Sequence, residues 1–468
     1  MSGLRLTVGW VAAATAGRVV SGDPDRVIGS VVTDSRSLSP GDVFVALRGP
    51  RFDGHAFVDD AVGRGAIGAI VEATRAVGLS GQGGPAIVEV SDTTRALQDL
   101  AHAVRVAAGT RVVAITGSAG KTTTKDTIAD FLSAAFVVVK NKGNLNNHVG
   151  LPLSLMQLRD KPDVAVMELG MNHAGEIRTL VAIADPDVRV WTNVGDAHLG
   201  FFGSSDAIAD AKAEILEGAE PGDVLVCNAD DPRVMARAAR FVGRSVTFGE
   251  RDGAAVRALD IEDRGIDGMR ARVVTPSGEC MVETPLVGRG NLSNVLAATA
   301  VALEFGVPLH TIAARAAALR PADRRGAVHR LRGGIALVDD SYNSSPTALL
   351  GALDVIARER RASRKVAVLG EMLELGVHAT ALHEDCGRRA AAAGLRLLFA
   401  VGGAPARALA DAAVASGMSP ASVTWFEKSE QAAPAIAAAV RAGDLVLVKG
   451  SRGTRTDLVA DRIAEEFA

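Results

Sequence analysis

Residues 116 to 124 read Thr-Gly-Ser-Ala-Gly-Lys-Thr-Thr-Thr, between the apolar run Val-Val-Ala-Ile-Thr and a helical pattern. Glycines, a lysine and hydroxyls at this spacing are the parts of a phosphate cradle. Gly117 and Gly120 let the backbone turn tightly enough for its N–H groups to converge on phosphate oxygens. The helix beginning at Lys121 adds the positive end of its dipole. Lys121 is placed to neutralise β- and γ-phosphates and the Thr122 hydroxyl to reach Mg²⁺. Thr116, Ser118, Ala119 and Thr123 complete the run expected to contact ATP. The loop is short, because five residues before Gly120 stands Ile115 where the common phosphate loop has glycine.

Three further polar residues follow later apolar or helical runs. Glu168 closes Val-Ala-Val-Met-Glu, and a carboxylate at the end of a buried strand needs a partner, a cation or a helix to cap. His198 follows Trp-Thr-Asn-Val-Gly-Asp-Ala; Mg²⁺ prefers oxygen donors, so on its chemistry this histidine reads as a hydrogen-bonding one. Lys212, in Ala-Asp-Ala-Lys-Ala-Glu-Ile-Leu, reads on spacing alone as a solvated lysine on a helix.

The elements that must position these residues are legible as alternating runs. After the strand ending at Thr116, Ile128, Phe131 and Leu132 recur at helical spacing. Apolar strands and helices then alternate, the pattern of a doubly wound, mainly parallel sheet whose ligands bind at the carboxyl ends of the strands. The expected fold is α/β in three domains: a small N-terminal domain over 1–108, a central nucleotide-binding domain over 109–320 and a Rossmann-like C-terminal domain over 321–468. The last boundary falls where the helical pattern stops at Pro321 and the basic run Arg324-Arg325-Gly326 follows.

At 468 residues and 48% hydrophobic the chain has material for several cores. A net charge of −3 gives no sign of a nucleic-acid binder. No apolar run reaches the roughly 18 residues of a membrane helix. Cys227, Cys280 and Cys386 are odd in number and far apart, which favours a reducing compartment over a disulfide framework. The opening stretch Met1 to Gly17 resembles a short leader, but reads better as the first elements of a folded domain, with Thr7 as a helix cap. The expected location is the cytoplasm.

The shortened loop TGSAGKTTTK resembles that of the Mur ligase family, ATP-dependent amide-bond-forming enzymes of peptidoglycan synthesis. MELGMNHAGEI, TNVGDAHLGFFGS, AKAEIL, NADDP and GRGNLSNVLAATA follow in the family's order, so the resemblance covers essentially the whole chain. KTTTKD, NKGNLNNHVGLPLSL, DDSYNSSP and the pair VLGEMLELG and VLVKGSR resemble the members that add D-alanyl-D-alanine. The Asn-Pro-Arg motif of the diamino-acid-adding members is absent. That branch, a folylpolyglutamate-type ligase and a non-ligase ATPase switch stand as the alternatives.

The resemblance implies further roles. Glu168 and His198 become Mg²⁺ ligands, and Lys212 a lysine carbamylated by CO₂ that holds a second Mg²⁺. Asn291 and Asn294, otherwise a helix-cap and a polar-face residue, would face adenine. Arg325 (with Arg324 as rival), Asp340 and Tyr342 would complete the ATP site. Asp34, Ser35 and Arg36, with Asp53, Gly54 and His55, resemble contacts to uridine diphosphate. Asn146 and Asn147 would lie near the peptide and phosphate. Lys449, Ser451 and Arg452 would steer the incoming dipeptide or close the domain. The implied substrates are UDP-N-acetylmuramoyl-tripeptide and D-alanyl-D-alanine, joined by a monomer through an acyl-phosphate. NSSP in place of Asn-Ala-Asn-Pro departs from the family in the last domain. His173 reads as structural.

Overall fold

The computed structural model describes residues 3–75 and 84–468. Met1 and Ser2, the start of the leader-like stretch, lie outside the described residues. The chain divides into two compact units, Met1–Ile115, Ala135–Arg189 and Glu214–Asp223 in the first, and Thr116–Ala134, Val190–Ala213 and Val224–Ala468 in the second.

The first unit opens on the helix Val8–Ala14, where Thr7 Oγ1 accepts the Trp10 N–H at 3.2 Å. A five-stranded sheet follows in the order Arg18–Ser21, Ala86–Val90, Gly68–Glu72, Val43–Val45, Val31–Val32. Its first pair is antiparallel and the rest parallel. The helix Thr93–Ala108 starts where Asp92 accepts two backbone N–H groups and stops at Gly109, whose φ of 65° suits a residue without Cβ. Ala96, Leu97, Leu100, Ala101 and Val104 are buried along its inner stripe. The strands Val138–Lys140, Val164–Glu168 and Arg111–Thr116 run parallel, and Glu168 pairs in register with Ile115. The Arg189 guanidinium is buried beneath them, donating to Ile215 O, Pro186 O and Asp223.

In the second unit, the strands Val224–Asn228, Arg244–Gly249 and Val256–Asp263 are parallel, and two antiparallel strands, Met269–Thr275 and Gly278–Thr284, extend them. This meander adds to the mainly parallel expectation. Residues of Met269–Thr275 alternate between buried and half-buried because one face meets water, and Arg272 pairs there with Asp260 and Glu279. A six-stranded sheet runs Ala327–Leu331, Ile335–Asp340, Asp444–Lys449, Arg364–Gly370, Leu397–Val401, Val423–Phe426. All its pairs but the first are parallel. Ile335, Val366, Val446, Ile436, Val459 and Ile463 lie in one core of this sheet and its covering helices. The three cysteines are free, and burial pushes the thiols of Cys227 and Cys386 up to about 11 and about 12. No helix among the described residues is long and apolar enough to cross a membrane.

Candidate active site

The phosphate loop lies in the second unit, between the end of its strand and the helix Lys121–Leu132. Gly117 and Gly120 take φ of 151° and 80°, values that L side chains rarely adopt. The segment after Trp191 braces the turn. Asn193 Oδ1 accepts the Ala119 N–H at 2.9 Å and Asn193 O that of Ser118 at 3.0 Å. Thr192 Oγ1 donates to Ala119 O at 2.8 Å. Most of the loop's polar backbone is thus fixed by its neighbours.

Two lysines converge on one carbonyl. Lys121 Nζ lies 2.8 Å from Gly117 O and Lys212 Nζ 3.0 Å from the same atom. Lys212 is 2% exposed, so the reading of a solvated lysine is overturned. The helix Ser205–Ala213 turns Ile208, Ala209 and Ala211 inward and carries Lys212 with them. Burial, and then the neighbouring Lys121 cation, push the Lys212 amine well below the ordinary lysine range.

Asn294 also reaches the loop. Its Oδ1 accepts from Thr124 Oγ1 at 3.2 Å, and its Nδ2 donates to Asn291 Oδ1 at 3.1 Å. Asn291 in turn donates to Val287 O at 2.9 Å.

His198 stands at φ 66° with its Nδ1 2.6 Å from Glu374 Oε2, a partner that sequence reasoning did not single out. Arg325 stacks 4.0 Å over the ring of Tyr342, and Arg452 lies 5.9 Å from the same ring. Its rival Arg324 faces elsewhere, paired with Asp457 and Asp461 at 3.0 Å each. Lys449 is buried against Asp340 Oδ2 at 2.6 Å and Asn343 O at 3.0 Å. Ser451 is also buried, its Oγ accepting the Leu373 N–H at 2.9 Å.

In the first unit Glu168 ends its strand with 4% exposure, and Asn146 Nδ2 donates to its Oε1 at 2.8 Å. Asn141, which the sequence did not mark, pins the same residue by exchanging bonds with its backbone N–H and C=O. Asn147 Oδ1 accepts the N–H of Gly150 at 2.8 Å. Asn147 lines a cleft of about 410 Å³ with His148, Gly170, Gly175, Glu176 and Thr179. His173 is bonded to Glu176 at both its backbone N–H and its ring.

The expected uridine-diphosphate residues form two similar turns. Asp34 accepts the Arg36 N–H and guanidinium, which hold its carboxyl down to about 2, and Ser35 is buried beside it. Asp53 accepts the His55 N–H at 3.0 Å at the start of the turn Gly54–Phe57. His55 Nε2 accepts the Glu72 N–H at 2.9 Å, which leaves its Nδ1 to donate to Asp53 and fixes the neutral tautomer. Among the described residues no group of three or more His, Cys, Asp or Glu is arranged to hold a metal ion.

Three family models match the chain in order: the Mur ligase family catalytic domain over 27–110, the Mur ligase middle domain over 115–302, and the Mur ligase glutamate ligase domain over 324–452. The UDP-N-acetylmuramoyl-tripeptide–D-alanyl-D-alanine ligase of Bacillus subtilis (strain 168) is 32% identical over 439 residues, 94% of either chain. A crystal structure of MurF from Acinetobacter baumannii superposes with a TM-score of 0.89 at 33% identity, covering 99% of this chain and 100% of that one. The MurF ligase from Thermotoga maritima, solved in complex with ADP, gives 0.81 at 30% identity over 93% and 97%. Likeness of this extent in sequence and fold, with the phosphate loop at its centre, means that the chain belongs to the Mur ligase family.

Proposed function

We propose that this protein joins D-alanyl-D-alanine to UDP-N-acetylmuramoyl-tripeptide, using ATP and forming the pentapeptide of peptidoglycan synthesis. The observation that carries the reading is the end-to-end likeness to ligases named for that reaction. The braced phosphate loop supports the ATP half of it. A monomer acting in the cytoplasm, with domains over 1–108, 109–320 and 321–468, goes with the proposal.

A carboxylate forms an amide only once one of its oxygens can leave. The tripeptide's terminal carboxylate attacks the γ-phosphorus and ADP departs, giving an acyl-phosphate. The dipeptide amine then attacks the acyl carbon, phosphate leaves, and the amine loses a proton. Lys121 and the backbone N–H groups at the start of its helix hold phosphate charge in place, an electrostatic and positional task. Asn291 and Asn294 take the adenine side, Arg325 and Asp340 the ribose, and Tyr342 completes the ATP site. Asp34 to Arg36 and Asp53 to His55 bind uridine diphosphate, Asn146 and Asn147 the peptide, and Lys449, Ser451 and Arg452 the dipeptide.

Thr122 and Glu168 would each offer an oxygen to Mg²⁺ and His198 a nitrogen, donor types the ion accepts with phosphates and waters supplying the rest. Bound there, one or two ions would screen the charge of the transferring phosphoryl group. Lys212 fits the carbamate, because adding to CO₂ takes a neutral amine, which its surroundings favour. The nitrogen bonds to the carbon and one proton is released. Protein equilibrated with ¹³C-bicarbonate is expected to show a carbamate carbon signal that is missing in Lys212→Ala. The same spectrum from both proteins would remove the carbamate from the reading.

The function is tested by phosphate release from Mg-ATP and UDP-N-acetylmuramoyl-tripeptide, with and without D-alanyl-D-alanine. Release that depends on the dipeptide, with a pentapeptide product by mass, is the expected result. Release driven by a diamino acid or glutamate instead would move the substrate. No turnover with any nucleotide-peptide would overturn the reading.

A further inference from the structure

The segments carrying His198 and Glu374 hold each other by several bonds within the second unit. Beside the 2.6 Å contact of His198 Nδ1 with Glu374 Oε2, the Gly200 N–H donates to Glu374 O at 2.8 Å. A different element, the helix Pro346–Arg358, also reaches the His198 segment, where Thr347 Oγ1 donates to Asp196 Oδ2 at 3.0 Å. The backbones approach so closely that a Cβ on Gly200 would stand 2.7 Å from Gly376 N, and one on Gly376 2.8 Å from Gly200 Cα. Neither His198 nor Glu374 is glycine, yet their φ values are 66° and 65°. Such conformations persist when the surroundings over-determine them.

Those surroundings are visible on both sides. The turn that presents Glu374 is held by Ser451 Oγ on the Leu373 N–H at 2.9 Å and by His383 Nε2 on the Met372 N–H at 2.9 Å. Ser451 N–H and Thr454 Oγ1 donate to Glu371 O at 3.2 and 3.0 Å. Across from it, Ser118 of the phosphate loop donates to Gly195 O at 3.2 Å, which ties the His198 segment to the ATP cradle.

We propose that Glu374 is a positioning residue for His198, and that its segment latches the C-terminal sheet to the ATP site. The carboxylate accepts the Nδ1–H, which fixes tautomer and ring orientation and leaves Nε2 as the donor atom for a ligand. A histidine that binds metal needs such a partner to keep its lone pair on one nitrogen. The inference rests on the role given to His198 above. It adds that the site is complete only while the turn at 371–376 is in place, which makes Ser451 a support of that turn.

The test uses the full chain. Glu374→Ala is expected to lower kcat and weaken activation by Mg²⁺, each by roughly 10–100-fold, with the KM for the nucleotide-peptide unchanged. Glu374→Asp should recover part of the loss. Gly376→Ala, which forces a Cβ against Gly200, should give the same split, and Val377→Ala, at an exposed neighbour, should change nothing. A second readout needs no turnover. In ¹⁵N-histidine spectra of the ligand-free protein, the His198 ring, identified by its loss in His198→Asn, should read as the Nδ1–H tautomer. In Glu374→Ala it should move toward Nε2–H. Unchanged ring signals, or unchanged kinetics while His198→Asn is impaired, would overturn the latch. A His198→Asn protein with normal Mg²⁺ activation would instead overturn the role of His198 itself.

Discussion

Replacing Lys212 with methionine is expected to stop ligation while making the folded protein more stable. The amine is buried, and among the described residues its hydrogen bond goes to Gly117 O, so the site suits a neutral group better than a cation. Methionine has similar length and no charge to desolvate. Loss of a group working directly at the phosphate site should lower kcat by at least about a hundredfold.

The stability gain carries a pH signature. Folding depresses the Lys212 pKa below the ordinary 10.5, first through burial and then through Lys121. The unfolded chain therefore binds more protons than the folded one between the depressed value and 10.5, and wild-type stability rises with pH across that window. The penalty is full below the folded pKa and fades as pH approaches 10.5. Denaturant midpoints in CO₂-free, Mg²⁺-free buffer should show methionine ahead at neutral pH and the gap closing toward pH 10.5. Equal midpoints at neutral pH would mean that the amine is not strained by its burial.

Gly120→Ala should be nearly as damaging, for steric reasons. At φ 80° an added Cβ would stand 2.2 Å from Asn294 Oδ1, far inside contact distance. A left-handed residue with a Cβ costs about 1–2 kcal/mol, and overpacking adds about 1–3 kcal/mol. A stability loss of about 2–5 kcal/mol is expected. ATP turnover should fall at least about a hundredfold, because the first N–H groups of the helix move with Gly120. Asn294→Ala in the same chain should restore much of the stability by removing the overlapping amide, a coupling that a double-mutant cycle reads directly. Turnover should stay low in the double variant, since Asn294 also holds Thr124 and Asn291. Full stability in Gly120→Ala alone would show that the loop can take another shape.

The sequence alone determined the phosphate loop, because everything that makes it is local. Two glycines, a lysine and a threonine stand within seven residues of Gly117, and the flanking strand and helix follow from their apolar periods. The alternation of strands and helices was legible for the same reason, as was the cap at Thr7. The order of motifs along the chain was enough to mark the family. Glu168 at a strand end and Asn146 were marked from sequence, but their 2.8 Å bond was not.

Only the tertiary structure decided what surrounds these residues. Lys212 meets Gly117 O across 95 positions, Thr124 meets Asn294 across 170, and His198 meets Glu374 across 176. No helical or strand period spans such distances, so a lone lysine on a helix looks solvated until the fold buries it. Which of Arg324 and Arg325 lies against Tyr342 was equally invisible. The two are chain neighbours, and it is the turn at Arg324, with φ 56°, that sends one guanidinium to Asp457 and Asp461 and the other onto Tyr342.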